Sequence, residues 1–206
     1  MKLGPLVAVL GVLIVIAAVT GAFLLGAQKS VSIPGRRILM VIAPTDFNDT
    51  EYSTVRNVLT EAGASVTVAS ATRGTAVGMY NTQVSPDISI DEVNPADYDA
   101  VVVIGGVGVE SAYFNNSRLH SILAAADDQG KVVGAICIAP VVLANAGILD
   151  GRRATVFDGA YISMLVAGGA TYTGESVTVD GNIITANGPG ASSDFARKIV
   201  EALSGA

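Results

Sequence analysis

Three short stretches of this chain are apolar at nearly every position instead of every second one: Ile38-Leu-Met-Val-Ile-Ala43 following Arg37, Ala100-Val-Val-Val-Ile104, and Val132 to Ile136. A strand with one wet face alternates, whereas a strand that is apolar throughout is buried on both faces, as in a parallel sheet covered by helices. The segments between these runs carry the helices. Asp49 to Ala62 has helical spacing at Val55, Val58, Leu59 and Ala62 with Gly63 as its stop, and Asn116 to Gln129 is a second helix stopped by Gly130. Ser65-Val-Thr-Val-Ala-Ser70 adds a further strand. This βαβα order implies right-handed crossovers and an α/β fold with a mostly parallel sheet, whose ligands bind beyond the carboxyl ends of the strands.

Between Thr72 and Tyr98 the periodicity weakens around Gly74, Gly78, Pro86 and Pro95, which predicts short strands or an excursion along one sheet edge. Two alternating runs around Asp180-Gly181-Asn182 predict a hairpin over 176–186. A Gly188-Pro189-Gly190 loop and an amphipathic helix, Ser192 to Leu203, close the domain.

Ahead of all this, Leu3 to Ala27 contains no ionisable side chain and is apolar for long enough to cross a hydrocarbon core of about 20 helical residues. The expectation is an N-terminal anchor over 1–28, touching a lipid bilayer through residues 3–27, then a linker over 29–36 and a domain over 37–206. The rival is a cleaved signal peptide ending near Leu25-Gly26-Ala27, which would make the domain a secreted one. Lys2 on one flank and Lys29, Arg36 and Arg37 on the other leave the side of the membrane open. A net charge of −6 with no cluster of Lys and Arg argues against nucleic acid as a partner. One Cys and one His exclude an internal disulfide and an ordinary zinc site, and no metal or organic cofactor is indicated.

The sharpest local feature is Gly134-Ala-Ile-Cys-Ile-Ala-Pro140, where an apolar strand runs through the lone Cys137 into a helix whose first turn tolerates Pro140. Small residues at Ala135 and Ala139 suit a sharp strand-to-helix turn that holds a nucleophile clear of the backbone. A thiol at a helix amino terminus also meets the positive end of the backbone dipole, which predicts a lowered pKa. A buried inert Cys fits the same residues, and the local pattern leaves the two readings open.

From Arg37 to Leu203 the chain resembles the ThiJ/PfpI family of the class I glutamine amidotransferase-like superfamily. The resemblance is carried by Phe47-Asn-Asp-Thr-Glu51, Glu61-Ala-Gly-Ala-Ser-Val-Thr-Val-Ala69, Val101-Val-Val-Ile-Gly-Gly106, Ala135-Ile-Cys-Ile-Ala-Pro140, Leu143-Ala-Asn-Ala-Gly-Ile-Leu149 and Gly188-Pro-Gly190. It implies a flavodoxin-like three-layer sandwich, Cys137 as the elbow nucleophile, Glu51 as the acid that hydrogen-bonds its sulfur, and Gly106 with the amide of Ile138 as oxyanion donors. A carboxylic acid kept protonated beside a thiolate can donate to it, so Glu51 is expected to titrate high. Without the resemblance, Glu51 and Asp49 both read as first-turn helix acids. Gly105 beside Gly106, Tyr113 and Asn187 are candidates to line a substrate pocket.

Two departures bear on the chemistry. One branch of the family places a His directly after the nucleophile, and here that residue is Ile138. In another branch a His comes from the loop after the next strand, where this chain has Asp158, whose carboxylate can hydrogen-bond a water or a substrate hydroxyl. The only imidazole, His120, sits beside the apolar positions Leu119, Ile122 and Leu123, towards the edge of its helix. The expected activity is that of a cysteine-dependent hydrolase or deglycase acting on a small carbonyl, glycated or acyl compound, free or as a protein adduct. The alternatives are a redox-sensing protein that works by oxidation of Cys137 without turnover, and a silent binding or chaperone-like module. A homodimer follows from the resemblance alone.

Overall fold

The structure is a computed structural model that describes residues 31–205. Its strands are β1 (Arg37–Val41), β2 (Thr45–Phe47), β3 (Ser65–Ser70), β4 (Ala76–Gly78), β5 (Gln83–Val84), β6 (Ile88–Ser89), β7 (Ala100–Val103), β8 (Val132–Ile136), β9 (Arg153–Ala154), β10 (Thr171–Tyr172), β11 (Val177–Asp180) and β12 (Ile183–Ala186). Its helices are α1 (Asp49–Glu61), α2 (Gly108–Tyr113), α3 (Ser117–Asp128), α4 (Pro140–Asn145), α5 (Ala160–Ala167) and α6 (Ser192–Ser204).

The main sheet has seven strands in the order β11-β12-β8-β7-β1-β3-β6. Every neighbouring pair is parallel except the β11–β12 hairpin. The runs read as doubly covered strands are so: β7 and β8 are buried along their whole length, and β1 is buried after Arg37. Helices α1 and α6 pack together over one face, while α3 lies against β7 and β8 and touches α4, which in turn packs on α5. This is the flavodoxin-like α/β arrangement. The irregular stretch after Thr72 becomes β4 and β5, which join β2 in a small separate sheet, and β6 at the edge of the main one.

Strand order decides where a site can form. The chain leaves β1 to build β3 on one side and later places β7 on the other, so consecutive connections diverge between the carboxyl ends of β1 and β7. Such a switch point opens a crevice in a doubly wound sheet. The loop after β1, the Gly105-Gly106 turn after β7 and the Cys137 turn after β8 all end there.

The anchor expected over residues 3–27 lies outside the described residues, and the expected membrane placement is corrected on what is described. Among the described residues no helix is long and apolar enough to cross a membrane. The two longest, α1 and α6, have 13 residues each and are amphipathic, where a span needs about 20 apolar ones. The lead into β1 packs on the domain: Ile33 is buried, and its N–H donates to the Ala62 carbonyl at 2.7 Å.

Candidate active site

Cys137 stands between the end of β8 and Pro140, the first residue of α4, with φ at +63°. That left-handed conformation costs a residue with a Cβ about 1–2 kcal/mol, so something must hold it. Two backbone bonds do. The Cys137 N–H donates to the Ala186 carbonyl at the end of β12 at 2.9 Å, and its carbonyl accepts from the Phe157 N–H at 2.8 Å. The elbow expected from the small residues around the thiol is therefore present and clamped from both sides, and the side chain it presents is buried, with the residue only 7% exposed.

Glu51 reaches the same place from α1. The Asn48 side chain caps the helix by accepting the Glu51 N–H at 3.1 Å, which fixes Glu51 in the first turn and turns it into the crevice. Its carboxyl is fully buried; Oε2 accepts the Gly105 N–H at 3.0 Å, and Oε1 has no hydrogen-bond partner. Burial pushes the Glu51 pKa up to about 7, against the opposing pull of the Gly105 N–H and of the Cys137 thiol. The expected high titration of this acid follows from desolvation first.

The thiol behaves differently from the dipole argument. Burial and then the charge of Glu51 push the Cys137 pKa up to about 12, and the N–H groups of Gly106 and Ile138 pull it down by less. The expected lowering is corrected. Its physical reason is that desolvation of the buried thiol, and then the neighbouring carboxylate, both disfavour a negative charge on the sulfur. Cys137 and Glu51 each act on the other's titration, so the two titrate as an interacting pair.

The remaining residues sort clearly. Gly105 and Gly106 are both buried against the pair; Gly106 takes φ +111°, and a Cβ there would run into the backbone of Asp46, Phe47 and Asn48. Ile138 is 3% exposed and offers only its amide. Asp158 is exposed at the loop before α5, with Oδ1 accepting the Gly159 N–H at 2.7 Å; the charge that acts on the thiol is that of Glu51. Asn187 follows Ala186 directly and is half-buried beside the elbow. Tyr113 does not line a pocket: it is fully buried, its hydroxyl donates to the Ile42 carbonyl at 2.7 Å, and burial lifts its pKa to about 12. It is a core pillar, because α2 turns Val109 and Tyr113 inward together one helical turn apart. His120 is half-buried on α3, with Nε2 unpartnered.

Two features escaped the sequence. Asp49 is 8% exposed and accepts the N–H groups of Tyr80 and Thr82 at 2.9 Å each, tying the β4–β5 loop to the start of α1. Tyr161 donates to Glu110 Oε1 at 2.9 Å, joining α5 to α2 beside the elbow. Neither partner is near in sequence, so no local spacing signals them. Among the described residues no group of three or more His, Cys, Asp or Glu could hold a metal ion.

A model of the DJ-1/PfpI family matches residues 36–202. An uncharacterized protein of Methanocaldococcus jannaschii is 40% identical over 177 residues, covering 85% of this chain and 86% of that protein. A deglycase of Pyrococcus abyssi is 33% identical over 165 residues, covering 80% of this chain and 98% of its own length. Among solved structures, the ThiJ/PfpI domain protein of Brachyspira murdochii superposes with a TM-score of 0.79 at 34% identity, over 82% of this chain and 97% of that one.

Proposed function

The chain belongs to the DJ-1/PfpI family, and from that premise we propose that Cys137 is the nucleophile of a hydrolase- or deglycase-type reaction on small carbonyl, glycated or acyl compounds, with Glu51 as its proton carrier. The observation that carries this reading is the pair itself: a thiol held on a strained, doubly clamped turn beside a buried carboxyl that has one oxygen unpartnered. With its pKa near 7, Glu51 holds or releases a proton at neutral pH, the poise that suits general acid–base work. The thiol adds to a carbonyl carbon; the C–S bond forms as the carbonyl π bond opens. The thiol proton passes to the Glu51 carboxylate and from it to the new alkoxide, leaving a neutral hemithioacetal. The N–H groups that act on the sulfur, those of Gly106 and Ile138, are the donors available to an oxygen formed beside it.

Burial of the thiol and its raised pKa weigh against the alternative of a freely exposed thiolate that serves as a redox sensor, because oxidation follows thiolate character and access. The test is consumption of a small α-oxoaldehyde, and of its adducts with free amines, followed by absorbance. The unmodified protein turns over, Cys137→Ala abolishes turnover, and Glu51→Gln lowers it by about 10²-fold, the low end for a positioned acid or base. Full activity in Cys137→Ala would overturn the reading.

A further inference from the structure

Glu110 and Tyr161 lie on the two helices that open beside the nucleophile. Helix α2 begins at Gly108, just past the Gly105-Gly106 turn, and α5 begins at Ala160, just past Phe157, whose N–H holds the Cys137 carbonyl. The Tyr161 hydroxyl donates to Glu110 Oε1 at 2.9 Å, and the Tyr161 ring meets that of Phe114 edge-on, with centroids 6.4 Å apart and planes at 82°. The phenol is thus held from two sides. Because it spends its only proton on Glu110, its own oxygen and the second carboxylate oxygen of Glu110 remain acceptors. Partial burial, the Glu110 carboxylate and the charge of Cys137 all push the Tyr161 pKa up, in that order, so the phenol stays protonated and lies within electrostatic reach of the sulfur.

The charges on the two segments that leave the elbow, 106–113 and 157–167, have one sign. Glu110 on α2 and Asp158 just ahead of α5 are exposed, and most cations of the described residues are engaged elsewhere: Arg36 with Asp99, Arg73 with Glu92, Arg152 with Asp127, Arg153 with Glu175, Arg197 with Asp194 and Lys198 with Glu201. Arg118 and Lys131 are bound to backbone carbonyls of the 90–95 segment.

We propose that Glu110, positioned by Tyr161, is a specificity-determining acceptor of the Cys137 site, which receives the ammonium or hydroxyl of an amine-borne carbonyl adduct and turns away carboxylate-bearing substrates. This rests on the reading of Cys137 as the reaction centre.

The test needs no substrate. Three methanethiosulfonates of similar reach, one cationic (trimethylammonium-ethyl), one neutral (methyl) and one anionic (sulfonatoethyl), are reacted with the full chain at low ionic strength, and labelling of its single cysteine is followed by intact mass. With each rate divided by that of 2-mercaptoethanol, the cation-to-anion ratio is expected to exceed unity by about tenfold, the scale of one charge acting through partly screened space. Glu110→Gln lowers the ratio about threefold, the carboxylates of Glu51 and Asp158 that remain keeping it above unity. Tyr161→Phe, which keeps the charge and frees it from its tether, lowers the ratio by less. If the neutral reagent labels Cys137 but Glu110→Gln leaves the ratio unchanged, the inference is overturned and the reading of Cys137 survives. If no reagent labels the folded protein, both fall.

Discussion

Gly105 stands where Cys137 and Glu51 meet: a methyl group on it would collide with the Cys137 Cβ and lie 2.6 Å from Glu51 Oε2 and 2.8 Å from the Ile136 carbonyl oxygen. The close approach that lets the Gly105 N–H reach the carboxylate is the same approach that forbids a side chain. Gly105→Ala is expected to cost about 2 kcal/mol or more and to lower the melting temperature by about 4–8 °C. Gly190→Ala, where a Cβ meets nothing within 4 Å, is the control and should melt within about 2 °C of the parent chain. Equal melting temperatures for the two variants would show that the crevice is looser than described.

Glu51 makes stability depend on pH in an unusual direction. Its folded pKa is raised from 4.5 to about 7, so between those values the folded protein keeps a proton that the unfolded chain has released. Stability contributed by this group is therefore present below about pH 4.5 and is lost as pH rises through about 7, by about 3 kcal/mol at 1.36 kcal/mol per unit. Urea unfolding at pH 5 and pH 8 measures it. The parent chain should lose more stability across that interval than Glu51→Gln does; identical losses would mean that the carboxyl is not desolvated in the folded state.

The same substitution bears on the thiol. Part of the upward push on Cys137 is the charge of Glu51, and an uncharged amide removes it while leaving the burial. The pH midpoint of Cys137 alkylation by iodoacetamide is expected to lie well above the ordinary value of about 8.5 in the parent chain and to fall by about one unit or more in Glu51→Gln. An unchanged midpoint would uncouple the two groups.

Asp49 is a prediction about the loop, not the chemistry. Burial raises its pKa, but the Thr82 hydroxyl and the N–H groups of Tyr80 and Thr82 outweigh it, so the carboxyl titrates below its usual value. Asp49→Ala leaves two backbone donors without their acceptor and should cost about 1–3 kcal/mol at neutral pH. Since a depressed acid stabilises only above its unfolded pKa of 3.8, the cost should fade as pH falls through the folded value. Thermal unfolding at pH 7 and pH 3 separates this from a simple packing loss, which would be the same at both.

What the sequence made legible was local. The runs of β1, β7 and β8 announced their double burial because no polar residue interrupts them, and the turn at Cys137 showed in the small residues that surround it. The titration of the thiol was misread because the dipole argument leaves out burial, and nothing in the local pattern shows that the fold sinks the sulfur beside the Glu51 carboxyl. Tyr113 was misread because following a glycine turn says nothing of direction; the signal available was its spacing from Val109, which puts both on the inner side of α2. Glu110 and Tyr161, like Asp49 and the Tyr80 loop, are joined only by the fold, and nothing short of strand order brings them within reach.

The left-handed turn at Cys137 has a genetic consequence. Glycine would occupy that conformation without the steric penalty, and a single base change separates the cysteine codons from those of glycine. A chain with no use for its sulfur thus has a short mutational exit to a more relaxed elbow. Retention of a side chain that the backbone at this point disfavours is what selection on the thiol itself would look like, and surveying the natural variation at position 137 against that at Gly106 is a way to read it.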